Sequence, residues 1–348
     1  MSERVLMNGN EALAEGAIRG GCDCYFGYPI TPQNELTAYM ARHMPRLGRA
    51  FIQAESEVAA INMVYGTAAT GKRAMTSSSS PGISLKQEGI SYLAGSELPA
   101  LIVNVQRGGP GLGNIDPSQA DYFQATRGGG HGDYRCIVLA PGSVQEMHDF
   151  AFEAFEIADR YRNPVMILAD GQLGQMMEPI VLSRKTPAPP EKPWALTGAA
   201  GREANIVRSY YPRGGMLELH NQRIQAKLQT VVEAEVRYET RQMDDAEIML
   251  VAYGTSARLA GGAVRRARAQ GIRAGLIRPQ TLWPYPYEAI ASYLDHVKKV
   301  LVVELSAGQM VEDVRLAVEG RAPVRFFGRM GGGVPTVPDI LEKIRELA

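Results

Sequence analysis

The sequence predicts an α/β fold: a parallel sheet with helices on both faces, followed by a second, smaller α/β domain. Three observations carry this. Short apolar runs alternate with stretches whose apolar residues recur every three or four positions, as repeated strand–helix–strand units require. The run Ala100 to Val105 (ALIVNV) is apolar apart from Asn104, which fits a strand covered on both faces, whereas a one-sided strand would alternate. After a break with four prolines (KTPAPPEKPW, from Lys185), the alternation resumes at Glu247. The expected division is residues 1–184, a linker and connecting helix at 185–246, and residues 247–348.

In order, Asn8 to Gly20 has helical spacing through Ala12, Leu13, Ala17 and Ile18, with Asn10 as its cap. Cys24 to Gly27 is a short strand. It runs into Tyr28-Pro29-Ile30-Thr31-Pro32, where two prolines fix the backbone and remove two ladder donors, so an ordered loop precedes a helix from Gln33 to His43. Phe51 to Gly82 is the central stretch. It holds a strand end (Phe51, Ile52), acids at Glu55 and Glu57, and a helix through Ala60, Ile61, Val64 and Ala68. A strand from Arg73 to Thr76 and a serine cluster close it.

A helix from Leu85 to Ala94 leads to ALIVNV, and a long loop then runs from Gln106 through Tyr122 to Gly132. Loops of this length inside compact domains are usually functional. A strand at Cys136 to Leu139, a helix at Val144 to Tyr161 and a strand at Val165 to Leu168 follow, with sites expected at the carboxyl ends of the strands. Leu217 to Tyr238 reads as a charged helix. Beyond Glu247, strands at Ile248 to Tyr253, Ala274 to Ile277 and Val300 to Val303 alternate with helices at Ala257 to Ala269, Tyr287 to Leu294 and Val311 to Val318.

Composition narrows the function classes. Thirty-seven basic and 37 acidic residues give zero formal net charge, so there is no electrostatic footprint for nucleic acid or an anionic membrane. No apolar run is long enough for a membrane span, and the N-terminal stretch lacks the apolar core of a signal peptide, so a cytoplasmic location is expected. The three cysteines (Cys22, Cys24, Cys136) are too few for a disulfide framework or an iron–sulfur cluster, and buried thiols are the favoured reading.

Two nucleotide motifs fail. Gly66 to Arg73 has P-loop spacing until Arg73 replaces the magnesium-binding hydroxyl, and it joins a helix to a strand instead of the reverse. Gly109-Pro110-Gly111-Leu112-Gly113 ends in Asn114 where a dinucleotide fingerprint needs glycine, and its glycines instead let the loop backbone approach closely.

Chemistry then rests on Glu57, Glu55, Thr31, the Thr76 to Ser80 cluster, Arg107 and His131. Arg107 directly follows the buried strand, where its planar fork suits a carboxylate; a surface or interface salt bridge suits the position equally. His131, between glycines, suits a general acid, a base or a polar donor, although a lone loop histidine is more often none of these. The serine cluster has no neighbouring Ser/His/Asp arrangement. Helix capping comes first and donation to a bound oxyanion second. Thr31, held between Pro29 and Pro32, presents its hydroxyl to a ligand or stabilises a turn.

From Glu57, an acid followed by Ala60, Gly66 and Ala68 resembles the pyrimidine-binding module of thiamine diphosphate enzymes. Adding Tyr28 to Pro32, Glu55-Ser56-Glu57, Ser77 to Gly82 and Gln106 to Pro110, nearly the whole chain resembles the alpha subunit of 2-oxoacid:ferredoxin oxidoreductases, nearest the branched-chain (2-oxoisovalerate) branch. The resemblance implies a pyrimidine-type thiamine diphosphate domain first and a transketolase C-terminal-like domain last. It implies that Glu57 hydrogen-bonds N1′ of the cofactor's aminopyrimidine, with Pro29, Ile30 and Ser80 beside the cofactor. It further implies that Thr31, Arg107, Ser79 and His131 contact the 2-oxoacid, with Arg107 on its carboxylate. The implied reaction is oxidative decarboxylation to an acyl-CoA and carbon dioxide, with coenzyme A as co-substrate and electrons passed singly to ferredoxin. A 2-oxoglutarate-specific subunit and a non-catalytic scaffold are the competing readings.

One departure bears on partners. Other thiamine enzymes hold the diphosphate and magnesium with Gly-Asp-Gly and a later asparagine. Here Ala169-Asp170-Gly171 lacks the first glycine, and prolines fall where the asparagine belongs. The resemblance therefore implies that a beta subunit carries the diphosphate and Mg2+ half-site, and that gamma and ferredoxin-like delta subunits complete the complex. Iron–sulfur clusters belong to those partners, and this chain contributes half an active site without metal ligands. Val303-Glu304 and the Met330 to Gly333 loop carry the resemblance of the last domain to the transketolase C-terminal domain, for which packing between subunits is expected.

Overall fold

The computed structural model describes residues 4–183 and 188–348. β1 (Arg4–Asn8) leads directly into α1 (Gly9–Arg19). Asn8, not the expected Asn10, is the cap, its Oδ1 accepting from the Glu11 N–H at 2.8 Å. Asn10 lies inside the helix, and its Nδ2 donates to Pro32 O and to Glu35 Oε2, tying α1 to the proline loop.

The expected alternation follows: β2 (Cys24–Gly27), α2 (Asn34–His43), β3 (Ala50–Gln53), α3 (Glu57–Ala69), β4 (Ala74–Ser78), α4 (Ser80–Gly95) and β5 (Ala100–Gln106). A short helix, α5 (Tyr122–Arg127), interrupts what the sequence reads as continuous loop. Then come β6 (Ile137–Leu139), α6 (Val144–Tyr161), β7 (Pro164–Asp170), α7 (Gly171–Gln175) and β8 (Met177–Val181), the last pairing antiparallel with β1. β2 to β7 form parallel pairs in the spatial order β6-β7-β5-β4-β2-β3.

β5 and β7, at the centre of this sheet, are buried at every position. Side chains on β5 face opposite ways in turn. Leu101, Val103 and Val105 pack with α1 and α6 (Leu13, Ala151, Phe155), whereas Ala100 and Ile102 pack with α3 and α4 (Ile61, Val64, Ile90). Both faces are therefore apolar, as the run ALIVNV requires.

The expected boundary at Arg184 and Lys185 lies outside the described residues, and residues 188–215 carry no helix or strand. α8 (Met216–Ala234) buries a stripe of His220, Ile224, Leu228 and Val231. β9 (Tyr238–Arg241), β10 (Ile248–Val251), α9 (Gly254–Arg268), β11 (Ala274–Pro279), β12 (Thr281–Trp283), α10 (Tyr287–Ala291), β13 (Lys299–Glu304), α11 (Met310–Val318), β14 (Val324–Gly328) and α12 (Val337–Leu347) complete the chain. A five-stranded sheet has the order β14-β13-β10-β11-β9, with only β9 antiparallel.

Two strands cross the expected divisions. β9 lies in the stretch read as a connecting helix yet pairs with β11. β12, far along the second region, pairs antiparallel with β6 as the seventh strand of the first sheet. One apolar cluster also spans both sheets, joining Ile102, Val138 and Leu168 to Val251, Ile277 and Val302. No helix among the described residues is long and apolar enough to cross a membrane.

Candidate active site

The carboxyl ends of β2, β4 and β5 bring the chemistry-bearing loops together, the usual place for a site on a parallel sheet. Glu57 is the first residue of α3, set there by Ser56, whose extended backbone and Oγ (accepting from the Ala59 N–H at 3.2 Å) cap the helix. Glu57 is buried, whereas Glu55 two residues earlier is exposed. Among the described residues no hydrogen bond reaches the Glu57 carboxylate. A buried carboxylate without donors is unfavourable unless a ligand supplies them.

α4 begins against it. A Cβ on Gly82 would run into Ser78 Oγ and lie 2.7 Å from Glu57 Oε1, so only glycine leaves the carboxylate its place. The serines do not cap α4 as expected: Ser79 is at the cap position, but its side chain makes no cap bond. Ser78 Oγ and Ser79 Oγ are instead buried without partners among the described residues. Ser77 belongs to an underlying network in which its Oγ donates to Gln33 Oε1 (2.6 Å) and meets Tyr25 OH (2.7 Å). Burial pushes the Tyr25 phenol up to about 12.

Arg107, 7% exposed, directly follows β5. Its Nη1 donates to Thr31 O (3.0 Å) and its Nη2 to Leu112 O (3.2 Å), so the guanidinium bridges the proline loop and the glycine loop. Its Nε–H is buried without an acceptor, and no carboxylate pairs with it among the described residues. The position thus holds a desolvated cation with a free donor, which suits an incoming anion. The Thr31 Oγ1 accepts from Asn34 Nδ2 at 3.0 Å. Pro29, exposed, and Ile30, half-buried, precede it in the same loop.

Ser80 is committed elsewhere: its hydroxyl donates to Asp121 Oδ2 (2.5 Å) and accepts from the Arg107 N–H (3.0 Å). Asp121 also accepts from Asn104 Nδ2 (2.9 Å), and burial raises its carboxyl above the usual range, against the lowering effect of these two bonds. Sequence reasoning missed Asp121, which sits in an irregular loop with no pattern to mark it. It also missed Lys86, a lysine on the apolar stripe Ile83, Lys86, Ile90 and Leu93 of α4 and fully buried. That misplaced charge was the available signal.

His131 is not brought to this group. It is exposed, with its ring edge-on to Tyr92 in the last turns of α4, far from the Ser80 end. Asp170, the nearest match to a diphosphate motif, is fully committed. Its Oδ1 accepts from the Thr255 hydroxyl (2.6 Å) and the Leu173 N–H (3.1 Å), and its Oδ2 from the Thr255 N–H (3.0 Å), so it caps α7 and α9 together. No cluster of three or more His, Cys, Asp or Glu suited to a metal occurs among the described residues. The donor set fits the ring end of a thiamine cofactor and not its diphosphate end.

Residues 15–242 match the family pyruvate flavodoxin/ferredoxin oxidoreductase, thiamine diphosphate-binding, and residues 246–340 match pyruvate:ferredoxin oxidoreductase core domain II. The chain is 55% identical to the ketoisovalerate oxidoreductase subunit VorB of Methanothermobacter marburgensis, over 99% of this chain and 97% of that protein. It is 36% identical to the 2-oxoglutarate synthase subunit KorA of Methanothermobacter thermautotrophicus, over the full length of both. Among solved structures, the 2-oxoglutarate:ferredoxin oxidoreductase from Magnetococcus marinus superposes with a TM-score of 0.86 at 27% identity, covering 99% of this chain and 65% of that one. That structure holds 2-oxoglutarate, coenzyme A and succinyl-CoA. A split-gene transketolase shares the fold, with a TM-score of 0.61 at 15% identity. Since the family matches and the similarity to the ketoisovalerate oxidoreductase subunit run nearly end to end, this chain belongs to the 2-oxoacid:ferredoxin oxidoreductases, as a subunit with a thiamine diphosphate-binding domain.

Proposed function

We propose that this chain supplies the pyrimidine half of a thiamine diphosphate site in a complex that oxidatively decarboxylates a branched-chain 2-oxoacid, forming an acyl-CoA and reducing ferredoxin. The observation that carries the reading is the buried Glu57 carboxylate at the start of α3, which no hydrogen bond reaches among the described residues. Thiamine diphosphate, when bound, supplies the carbanion chemistry that decarboxylation of a 2-oxoacid needs. Glu57 holds or moves a proton at N1′ of its aminopyrimidine, and Pro29 and Ile30 border the ring. Arg107 takes the substrate carboxylate through its free Nε–H, with the Thr31 and Ser79 hydroxyls beside it. Ser80 acts one step back, fixing the Arg107 backbone, and His131 stands outside the site.

The committed state of Asp170 supports a beta subunit as holder of the diphosphate and Mg2+; gamma and ferredoxin-like delta subunits carrying the iron–sulfur clusters complete the proposed complex. Coenzyme A as co-substrate rests on the bound ligands of the Magnetococcus marinus enzyme. The branched-chain preference rests on the ketoisovalerate oxidoreductase relatives, against the more distant 2-oxoglutarate ones. The test is a panel of 2-oxoacids assayed on the assembled complex. 2-Oxoisovalerate should give the highest kcat/KM; a higher value for 2-oxoglutarate would overturn the substrate assignment while leaving the chemistry standing.

A further inference from the structure

Lys86 has no place in the scheme above, yet its ammonium is the least expected charge in the molecule. It is fully buried, one helical turn after Gly82 on the face of α4 that meets α3. An ammonium has three donors, and among the described residues Lys86 Nζ makes a single long hydrogen bond, to Ser77 O at 3.4 Å. Gly82 marks where the Glu57 carboxylate lies, so both charges sit on the same side of α4. They form no direct ion pair; burial lowers the Lys86 amine below its ordinary value, and the charge of Glu57 opposes that lowering. The other titratable groups nearby are turned elsewhere: Tyr25 on β2 toward Ser77 Oγ, Asp121 toward Ser80 and Asn104, and Arg107 toward Thr31 and Leu112.

We propose that Lys86 is a positioning residue for Glu57: its buried ammonium is the through-space counter-charge that sets how strongly the Glu57 side of the site holds a proton at the cofactor's N1′. Two opposite charges oppose each other at any third point. With Lys86 charged, the pull of Glu57 on an N1′ proton is moderated, so the proton can leave as well as arrive. Without it, the carboxylate acts alone and N1′ keeps its proton to higher pH. The inference rests on the reading that Glu57 meets the aminopyrimidine.

The experiment uses the assembled complex, stripped of cofactor and reloaded with thiamine diphosphate. Calorimetry reports binding, and circular dichroism of the bound aminopyrimidine against pH reports the midpoint at which N1′ loses its proton. Lys86→Met should bind the cofactor and raise that midpoint by about one pH unit, the scale of one unit charge at moderate distance in a protein interior. Lys86→Arg, which keeps the charge, should restore the wild-type midpoint. Lys86→Gln, neutral but able to donate to Ser77 O, is the second neutral variant if the methionine form fails to assemble. A loaded neutral variant with the wild-type midpoint overturns the role of Lys86. Glu57→Gln separates the two claims: if its N1′ titrates as in wild type, the Glu57 reading itself falls, whatever Lys86 does.

Discussion

Glu57 and Glu304 are both buried carboxylates at the carboxyl edge of a parallel sheet, close to a helix start, and they are treated in opposite ways. Glu304, at the end of β13, accepts from the Ser306 hydroxyl (2.9 Å) and from the N–H groups of Gln309 (3.1 Å), Met310 (3.0 Å) and Val311 (2.9 Å). It closes the first turn of α11 and has nothing left to offer. Glu57, at the start of α3, has no donor at all among the described residues. Buried carboxylates are thus not equivalent as markers of chemistry. The informative one is the one the fold leaves unsatisfied.

Substitutions can break or sharpen this contrast. The largest effect is expected from Glu57→Gln, which should lower 2-oxoacid-dependent viologen reduction by about 10²–10⁴-fold, the range for losing a proton-transfer group, with the unfolding midpoint of the complex unchanged. Glu304→Gln should do the reverse, destabilising the chain by about 2–4 kcal/mol because an amide NH₂ faces backbone donors, while the complex that assembles keeps its kcat. Gly82→Ala pushes a methyl group against Glu57 and Ser78. A more than tenfold loss of thiamine diphosphate affinity by calorimetry is expected, beside a stability loss of about 1–3 kcal/mol from overpacking.

A smaller effect should appear in stability against pH. Burial lowers the Lys86 amine from 10.5 to about 8, against the pull of Glu57. Below about 8 the folded and unfolded chains both carry the ammonium, and its burial counts fully against folding. Between about 8 and 10.5 the unfolded chain holds a proton that the folded chain has released, so stability rises with pH and levels off beyond. Denaturant titrations should show this rise, on the order of 3 kcal/mol at most, in wild type and not in Lys86→Met. The smallest effect belongs to His131→Ala. An exposed side chain away from the site should change kcat/KM by less than about twofold and stability by less than about 0.5 kcal/mol.

What the sequence made legible follows from how local each signal is. α6 runs from Val144 to Tyr161 as its periodicity predicts, and β5 and β7 show as apolar runs because both of their faces are covered. The loops that meet at the site, around Thr31, Ser79 and Arg107, were each visible from prolines, serines or glycines at strand ends. Pairings between distant segments were not. β12 is three residues with no pattern of their own, and only the exposed edge of β6 makes them a strand. Asn8 and Asn10 are equally good caps on paper. Tertiary contacts separate them: the Asn10 side chain donates to Pro32 O and Glu35, while Asn8 Oδ1 accepts from the Glu11 N–H. Asp121 and the bearing of Lys86 on Glu57 depend on tertiary placement alone.

The crossing of β12 also limits how the chain can be divided. Anyone expressing the first 240 or so residues as a free-standing fragment would remove Thr281 to Trp283 and leave β6 with open backbone donors and acceptors along one side, a template for unwanted strand pairing between molecules. The same cut would bare the apolar residues that pack against Val251, Ile277 and Val302, so such a fragment should aggregate.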